Sequence, residues 1–320
     1  MLPEIEVDRR RSFLPDLAGK YSMQLQTTTA CNAACIFCPH KDTWKKVPVK
    51  YMSDKLLDKI IDQMQGMRFY RISPYLQNEP LCDPRIFDIV KKISQSLVFD
   101  QICFSANPVS LTMRNACRIA DAFANVGHEI RISFHGVDKS SFENNMNLEF
   151  EQSLKNVIYF MHIAYDAGLC VTVKGLGFGR GDPISGPGNF GEQSFLDFWE
   201  SVCEKECLPS DYFYFKYSGY HDRSQNVKDT EREENKKRIR EDLDGFYCTR
   251  VDRWFHITYD GKLIICCNDY HREVVLGDIS CQSIEEIRDS YNYKSIVRKV
   301  CGKEASESNF ICKRCASPGG

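Results

Sequence analysis

The chain has 320 residues, 42% of them hydrophobic, and a formal net charge of −2. That is enough apolar material for one large domain, or a large and a small one, and too balanced a charge for a basic nucleic-acid surface. Sixteen cysteines, no signal-like apolar stretch behind the basic cluster of MLPEIEVDRRRSFLPDL, and no run of about 18 apolar residues predict a reduced, cytoplasmic setting with thiolates kept for metal and no membrane partner.

Residues 1–20 read as a lead-in. Tyr21 to Thr27 reads as a first strand that runs straight into CNAACIFCPH, Cys31 to His40. SDKLLDKIIDQM places Leu56, Leu57, Ile60, Ile61 and Met64 on one helical face, with Ser53 as N-cap. FYRISPYL is a strand, and DPRIFDIVKKI a helix with Asp83 as cap and Pro84 at its first position. FDQICFSAN, EIRISFHG, LCVTVKGLGF and DYFYFKYS are further strands. The helices LTMRNACRIADAFAN, FEQSLKNVIYFMHIAYDAG (closed by Gly168) and SFLDFWESVCEKE lie between them. Six strand–helix repeats imply a parallel sheet, curled by right-handed crossovers into an α/β fold, a partial (β/α)6 TIM-like barrel over residues 21–227. Functional side chains belong at the C-terminal ends of its strands, where the cysteine loop also falls.

Residues 228–244, KDTEREENKKRIREDLD, hold seven acidic and six basic side chains and read as a solvated helix or linker. The last stretch, 245–320, is of another kind. WFHITY and KLIICC flank Asp260-Gly261, a pair suited to a type I′ hairpin turn, in which both central residues need positive φ. SIEEIRDSYNYKSIVRKV follows as one closing helix, and FICKRCASPGG carries a CxxC. The glycine-rich GLGFGRGDPISGPGNFG lacks the G-K-[ST] ending of a phosphate loop and reads as a mobile loop over the open end of the barrel.

The first cysteines stand at C-x3-C-x2-C: Cys31, Cys35 and Cys38. A structural zinc site wants a fourth ligand, and a disulfide framework an even count. Three thiolates on a 4Fe–4S cluster leave one iron open to chelate a small molecule. With Phe37 just before the third cysteine, the motif resembles that of the radical S-adenosylmethionine (SAM) superfamily. The resemblance covers residues 21–220. Gln77-Asn78-Glu79-Pro80-Leu81 stands where that superfamily has a Gly-Gly-Glu-Pro turn beside the methionine amino group, with both glycines replaced. SANP puts Ser105 and Asn107 at its polar ribose contacts, and ISFHG puts Ser133 on its SAM-contacting serine. HDRSQN offers Arg223 and Asn226 to a polar substrate or to the SAM carboxylate. The resemblance implies a SAM-binding 4Fe–4S cluster on Cys31, Cys35 and Cys38, a 5′-deoxyadenosyl radical made on its reduction, and an electron donor such as flavodoxin or ferredoxin.

Cys248, Cys266, Cys312 and Cys315 form a second set, which resembles the SPASM/Twitch auxiliary-cluster segment. The CxxC-x5-C-x3-C middle portion of a full SPASM module is missing, so the one-cluster Twitch form, an auxiliary 4Fe–4S cluster, is implied. A structural zinc on the same thiolates is the other reading. Cys267 follows Cys266, and on a strand the two point to opposite faces. It reads either as a buried packing residue or as a thiol aimed at the substrate. Cys82, Cys103, Cys117, Cys170, Cys203, Cys207, Cys281 and Cys301 read as packing residues.

The implied reaction removes hydrogen from a C–H bond of a small polar substrate, a sugar or aminocyclitol, and passes an electron to the auxiliary cluster to leave a carbonyl. This resembles one-cluster aminocyclitol dehydrogenases. A second fate is epimerisation of a sugar or peptide, with Cys267 as hydrogen-atom donor. A third reading is a non-catalytic iron–sulfur carrier, against which the SAM-type strand ends argue. No peptide-binding winged-helix segment precedes the barrel, which favours a small polyol over a peptide.

Overall fold

Strand alternation, not a continuous apolar run, marks the sheet of this protein, because one of its faces is polar. The computed structural model describes residues 19–177, 190–219 and 239–315. Most of the lead-in, the middle of the glycine-rich run, Arg223, Asn226 and most of the charged stretch 228–244 lie outside the described residues. Nine strands are present among them: β1 (Tyr21–Leu25), β2 (Arg68–Ser73), β3 (Val98–Ala106), β4 (His128–Ser133), β5 (Val171–Gly177), β6 (Tyr214–Gly219), β7 (Trp254–Ile257), β8 (Lys262–Ile264) and β9 (Val275–Asp278). They form one sheet in the order β6-β5-β4-β3-β2-β1-β7-β8-β9. β1 to β7 pair in parallel, and β8 and β9 add antiparallel. The sheet stays open, with β6 and β9 at its edges, as a partial barrel requires.

On one face Met23, Leu25, Phe69, Ile72, Ile102, Phe104, Ile130, Ile132, Val171 and Val173 are buried against the helices. Helices α1 (Asp54–Met64), α2 (Ile86–Ser96), α3 (Met113–Phe123), α4 (Lys139–Met146), α5 (Phe150–Asp166) and α6 (Glu192–Lys205) follow the strands. The residues between the apolar ones, such as Gln24, Arg71, Ser105, Arg131, Ser133 and Lys174, take the other face by the period-2 rule. On β2 the register skips Tyr70 opposite Tyr21 and Ser22, which brings Arg71 onto the polar face.

The helix starts follow local chemistry. Ser53 accepts from Leu56 N, as its N-cap position predicts, and Thr112 accepts from Asn115 N. α4, which the sequence reading passes over, opens on a capping box between Asp138 and Ser141. Gly168 closes α5 with φ +68°. Gly136 of ISFHG is required by a close approach: a Cβ there would stand 2.4 Å from the Phe142 backbone.

Four local expectations need correction. Asp83 does not cap α2, which starts at Ile86 behind Arg85; its carboxylate accepts from Arg85 N at 3.0 Å and pairs with the Arg85 guanidinium instead. The closing helix is two, Ile284–Asp289 and Tyr291–Val300, because Ser290 is extended and caps the second through Tyr293 N. The β7–β8 turn is not type I′. Among the described non-glycine residues only Asn147, Cys207 and Arg272 have positive φ, so Asp260 does not, and Gly261 alone does, at +88°. Gly261 N bonds Thr258 O at 2.9 Å, a turn that ends in a left-handed glycine, the G1-bulge form. β9, which pairs Lys262 with Asp278, is absent from the sequence reading. Among the described residues no helix is long and apolar enough to cross a membrane.

Candidate active site at the barrel mouth

β1 ends at Leu25 and the next residues, Gln26 to Thr29, are fully buried or nearly so. They aim the cysteine loop at the C-terminal ends of the strands. A cavity of about 460 Å³ opens there. Cys31, Cys35 and Cys38 line it together with Phe37, Asn78, Glu79, Ser105, Asn107 and Ser133, so all the core site residues predicted within the described chain meet in one place.

The loop is held by a buried polar network. Glu79 N donates to Ala30 O at 2.9 Å, directly before Cys31. The Glu79 carboxylate accepts from Asn107 N at 2.8 Å and Asn107 Nδ2 at 2.9 Å. Asn107 Nδ2 also donates to Asn32 Oδ1 at 2.6 Å, inside the cysteine motif. Both Asn107 amide hydrogens are therefore spent on holding the loop. Burial pushes the Glu79 carboxyl up to about 8, against the pull of its N–H donors. Asn78 accepts from Leu76 N at 3.1 Å, while its Nδ2 is buried with no partner. Phe37 meets the His135 ring edge-on at 5.2 Å. Burial pushes His135 down to about 4, so the imidazole is neutral, and its Nδ1 has no partner.

The C-terminal segment supplies the other wall: Arg250, Cys267, Asn268 and Tyr270. None of these except Cys267 is visible as a site residue in the sequence; Arg250 stands two residues after Cys248, and Tyr270 four after Cys266, which is the only signal. Arg250 donates to the Cys267 sulfur, and the Tyr270 hydroxyl lies 3.9 Å from Cys38 Sγ. Gln77, Trp44 and Arg272 join the two walls. Trp44 Nε1 donates to Gln77 Oε1 at 2.9 Å, and the Arg272 guanidinium lies 4.4 Å from the Trp44 ring centre while pairing with Asp260.

The donor sets fit clusters. Burial pushes the Cys31 thiol up to about 12, helped by the nearby Glu79 charge, and raises Cys35 and Cys38 as well. Cys31 and Cys38 both act on Cys35, so the three sulfurs are neighbours. In the second set burial raises Cys248 and Cys312, Cys315 adds to both, Cys248 acts on Cys312, and Cys312 acts on Cys266. Cys266 itself is not part of the cavity wall that Cys267 joins. Among the described residues no three His, Cys, Asp or Glu side chains are grouped for a single metal ion. Sulfurs around one zinc would lie about 3.8 Å apart, given a Zn–S bond of about 2.3 Å. A cubane spreads its ligands over separate irons.

The fold and cavity define an α/β protein with one cysteine set on the wall of a cavity at its strand ends and a second set in the C-terminal segment that supplies the other wall. The model of the radical SAM superfamily matches residues 25–185, about half of the chain, and this chain belongs to that superfamily. The model of an iron–sulfur cluster-binding domain, SPASM, matches residues 248–316, which sets iron–sulfur above zinc for the second set. Its cofactors are therefore 4Fe–4S clusters and SAM. No curated protein matches the chain in sequence. Solved structures share its fold at low identity. BtrN in complex with AdoMet and 2-DOIA is 14% identical with a TM-score of 0.57, covering 93% of this chain and 94% of that one. Streptococcus suis SuiB bound to its precursor peptide SuiA is 11% identical with a TM-score of 0.62, covering 87% and 66%. Native anSMEcpe with bound AdoMet is 11% identical with a TM-score of 0.58, covering 85% and 81%.

Proposed function

We propose that the protein is a radical SAM oxidoreductase that takes hydrogen from a C–H bond of a small polar substrate and converts the alcohol there to a carbonyl. The observation that carries this reading is the single cavity walled by the C-x3-C-x2-C loop on one side and by Arg250, Cys267, Asn268 and Tyr270 on the other. When bound, the clusters and SAM supply a hydrogen-abstracting adenosyl radical and an electron acceptor. Cys31, Cys35 and Cys38 hold the first cluster, and Cys248, Cys266, Cys312 and Cys315 the second. Asn78 Nδ2, buried and unspent, is a donor for SAM, with Ser105 and Ser133 beside it. Phe37 and the neutral His135 keep water from the reacting carbon, and His135 Nδ1 fits a hydrogen bond from the substrate hydroxyl. Oxidation of the alcohol removes one hydrogen atom, one proton and one electron. Cys267 on the cavity wall is the chain neighbour of Cys266, so the acceptor's ligand lies one residue from the substrate. A flavodoxin- or ferredoxin-like protein fits as the external electron donor.

The alternative, epimerisation, needs Cys267 to hand its S–H hydrogen to a carbon radical. The Cys267 sulfur accepts from Arg250 and its S–H donates to Asn268 Oδ1 at 3.8 Å, so that hydrogen is already engaged, which favours oxidation. The BtrN complex contains a small molecule and the SuiB complex a peptide; a cavity of about 460 Å³ suits the small molecule. Turnover in deuterated water decides. A dehydrogenase gives a product lighter by two hydrogens, without carbon-bound deuterium. Solvent deuterium on an inverted carbon, lost in Cys267→Ala, overturns the reading.

A further inference from the structure

The polar face of the sheet carries a cluster of charges that the chemistry above does not use. Ser105 and Ser133 line the cavity. Their neighbours across the ladder are Arg131, paired with Ser105, and Lys174, paired with Ser133. Register partners in a parallel sheet point to the same face and lie about 4.8 Å apart. Arg131 and Lys174 therefore share the face of the cavity wall, one ladder position from residues that line it and outside the lining itself; the Lys174 charge acts on His135, which does line it.

Their charges do not balance. Arg131 grips Glu129 with two bonds of 2.6 Å, Nε to Oε1 and Nη2 to Oε2. Arg71 reaches the same Oε2 from β2 at 3.2 Å. One carboxylate thus serves two guanidiniums, and the Arg71 Nε is buried with no partner. Lys174 is half-buried, and among the described residues no hydrogen bond or ion pair reaches its ammonium. Burial and the Arg131 charge hold it below the usual lysine range, against the pull of the same Glu129 carboxylate, which is thus shared among three cations. Lys216, its register partner on β6, brings a further cation from the exposed edge. Half-buried cations in excess of their partners are costly unless an anion joins them. The guanidinium forks and the ammonium are the donors that oxyanions take.

We propose that this cluster binds an oxyanion of the substrate, a carboxylate or a phosphate, with Lys174 as its anchor and Arg131 and Arg71 as the frame. The inference rests on the radical SAM reading of the cavity and narrows its substrate to a small anionic polyol or acid. An amine-bearing cyclitol without an anionic group is disfavoured, since its ammonium would face three cations. Glu129 keeps the two guanidiniums parallel and aimed, so that the substrate's anion meets a shaped site rather than a diffuse charge.

The test uses the reconstituted protein with SAM bound and two probes, inorganic phosphate and acetate, titrated calorimetrically at constant ionic strength in chloride. One of them binds saturably at one per chain, and Lys174→Met weakens it at least tenfold, while Lys216→Met changes it less than twofold. Tighter phosphate assigns a phosphorylated substrate, and tighter acetate a carboxylic acid. Lys174→Met also melts close to the wild type, because Lys174 makes no hydrogen bond to lose and its removal trades attraction to Glu129 for relief of repulsion with Arg131. Saturable binding of neither anion, or equal binding by Lys174→Met, overturns the proposal. 5′-Deoxyadenosine formation with dithionite is measured on the same wild-type sample. Its presence without anion binding sinks the anion site alone, and its absence sinks the radical SAM reading beneath it.

Discussion

The side-chain amide of Gln77 donates to the main-chain carbonyl of Cys267 at 3.1 Å. Its oxygen is taken by Trp44, and the residue is only 3% exposed. One side chain therefore ties the loop after β2, the extension of the cysteine loop and the exit of the C-terminal hairpin. Gln77→Leu keeps the bulk but leaves a carbonyl and an indole N–H unpaired, at about 1–3 kcal/mol each. Calorimetric melting is expected to show a clearly lower midpoint. An unchanged midpoint would mean that the tether carries no weight.

Iron content separates the two cysteine sets. The reconstituted protein is expected to hold about eight irons, from two 4Fe–4S clusters. Alanine at Cys31, Cys35 and Cys38 removes about half and abolishes SAM cleavage. Alanine at Cys248, Cys266, Cys312 and Cys315 removes the other half. Iron and zinc analysis with EPR spectroscopy of each variant checks it, and zinc in the second set would refute the two-cluster assignment.

Glu79 makes the cluster-free fold sensitive to pH. Its carboxyl is raised from 4.5 to about 8 by burial. Between those values the folded chain keeps a proton that the unfolded chain has released. Stability from this group is full below about pH 4.5 and falls as pH rises toward 8, by up to about 1.4 kcal/mol per pH unit. Glu79→Gln keeps the shape and the acceptor and flattens the slope. Urea midpoints across pH 5 to 8 read it directly; the same slope in both proteins would assign the effect to another group.

Gly136→Ala tests the close approach under α4. The added methyl group meets the Phe142 backbone at 2.4 Å, so backbone must move. A loss of about 1–3 kcal/mol is expected, as for other overpacked sites, with weaker SAM binding because Ser133 and His135 sit just before the displaced turn. Wild-type stability and wild-type SAM affinity together would show that α4 yields freely.

Much of the architecture is legible in the sequence because its signals are local. The alternation of β1 to β6 and the apolar stripe of α1 are visible residue by residue. α4 and β9 escape because short elements carry too few periods. Asp-Gly fits both a type I′ turn and a G1 bulge, and a serine inside a helical pattern, like Ser290, reads equally as interior or cap. In the cavity the same division holds. Cysteine spacing and strand-end residues point to the loop side. Arg250, Asn268 and Tyr270 do not announce themselves, because only the pairing of β1 with β7 carries them to the cysteine loop.

That pairing also sets a timetable. Leu25 of β1 lies beside Ile257 of β7. At about 5–20 residues per second, a ribosome needs roughly 10 to 50 seconds to go from one to the other. During that interval β1 has only one flank filled, and the wall bearing Cys267 and Tyr270 has yet to be made. A cluster delivered to the nascent loop would sit in open water, exposed to oxygen and competing thiols. The first cysteines to be synthesised are therefore walled in only once the segment carrying Cys267 and Tyr270 has been made and β7 has paired with β1.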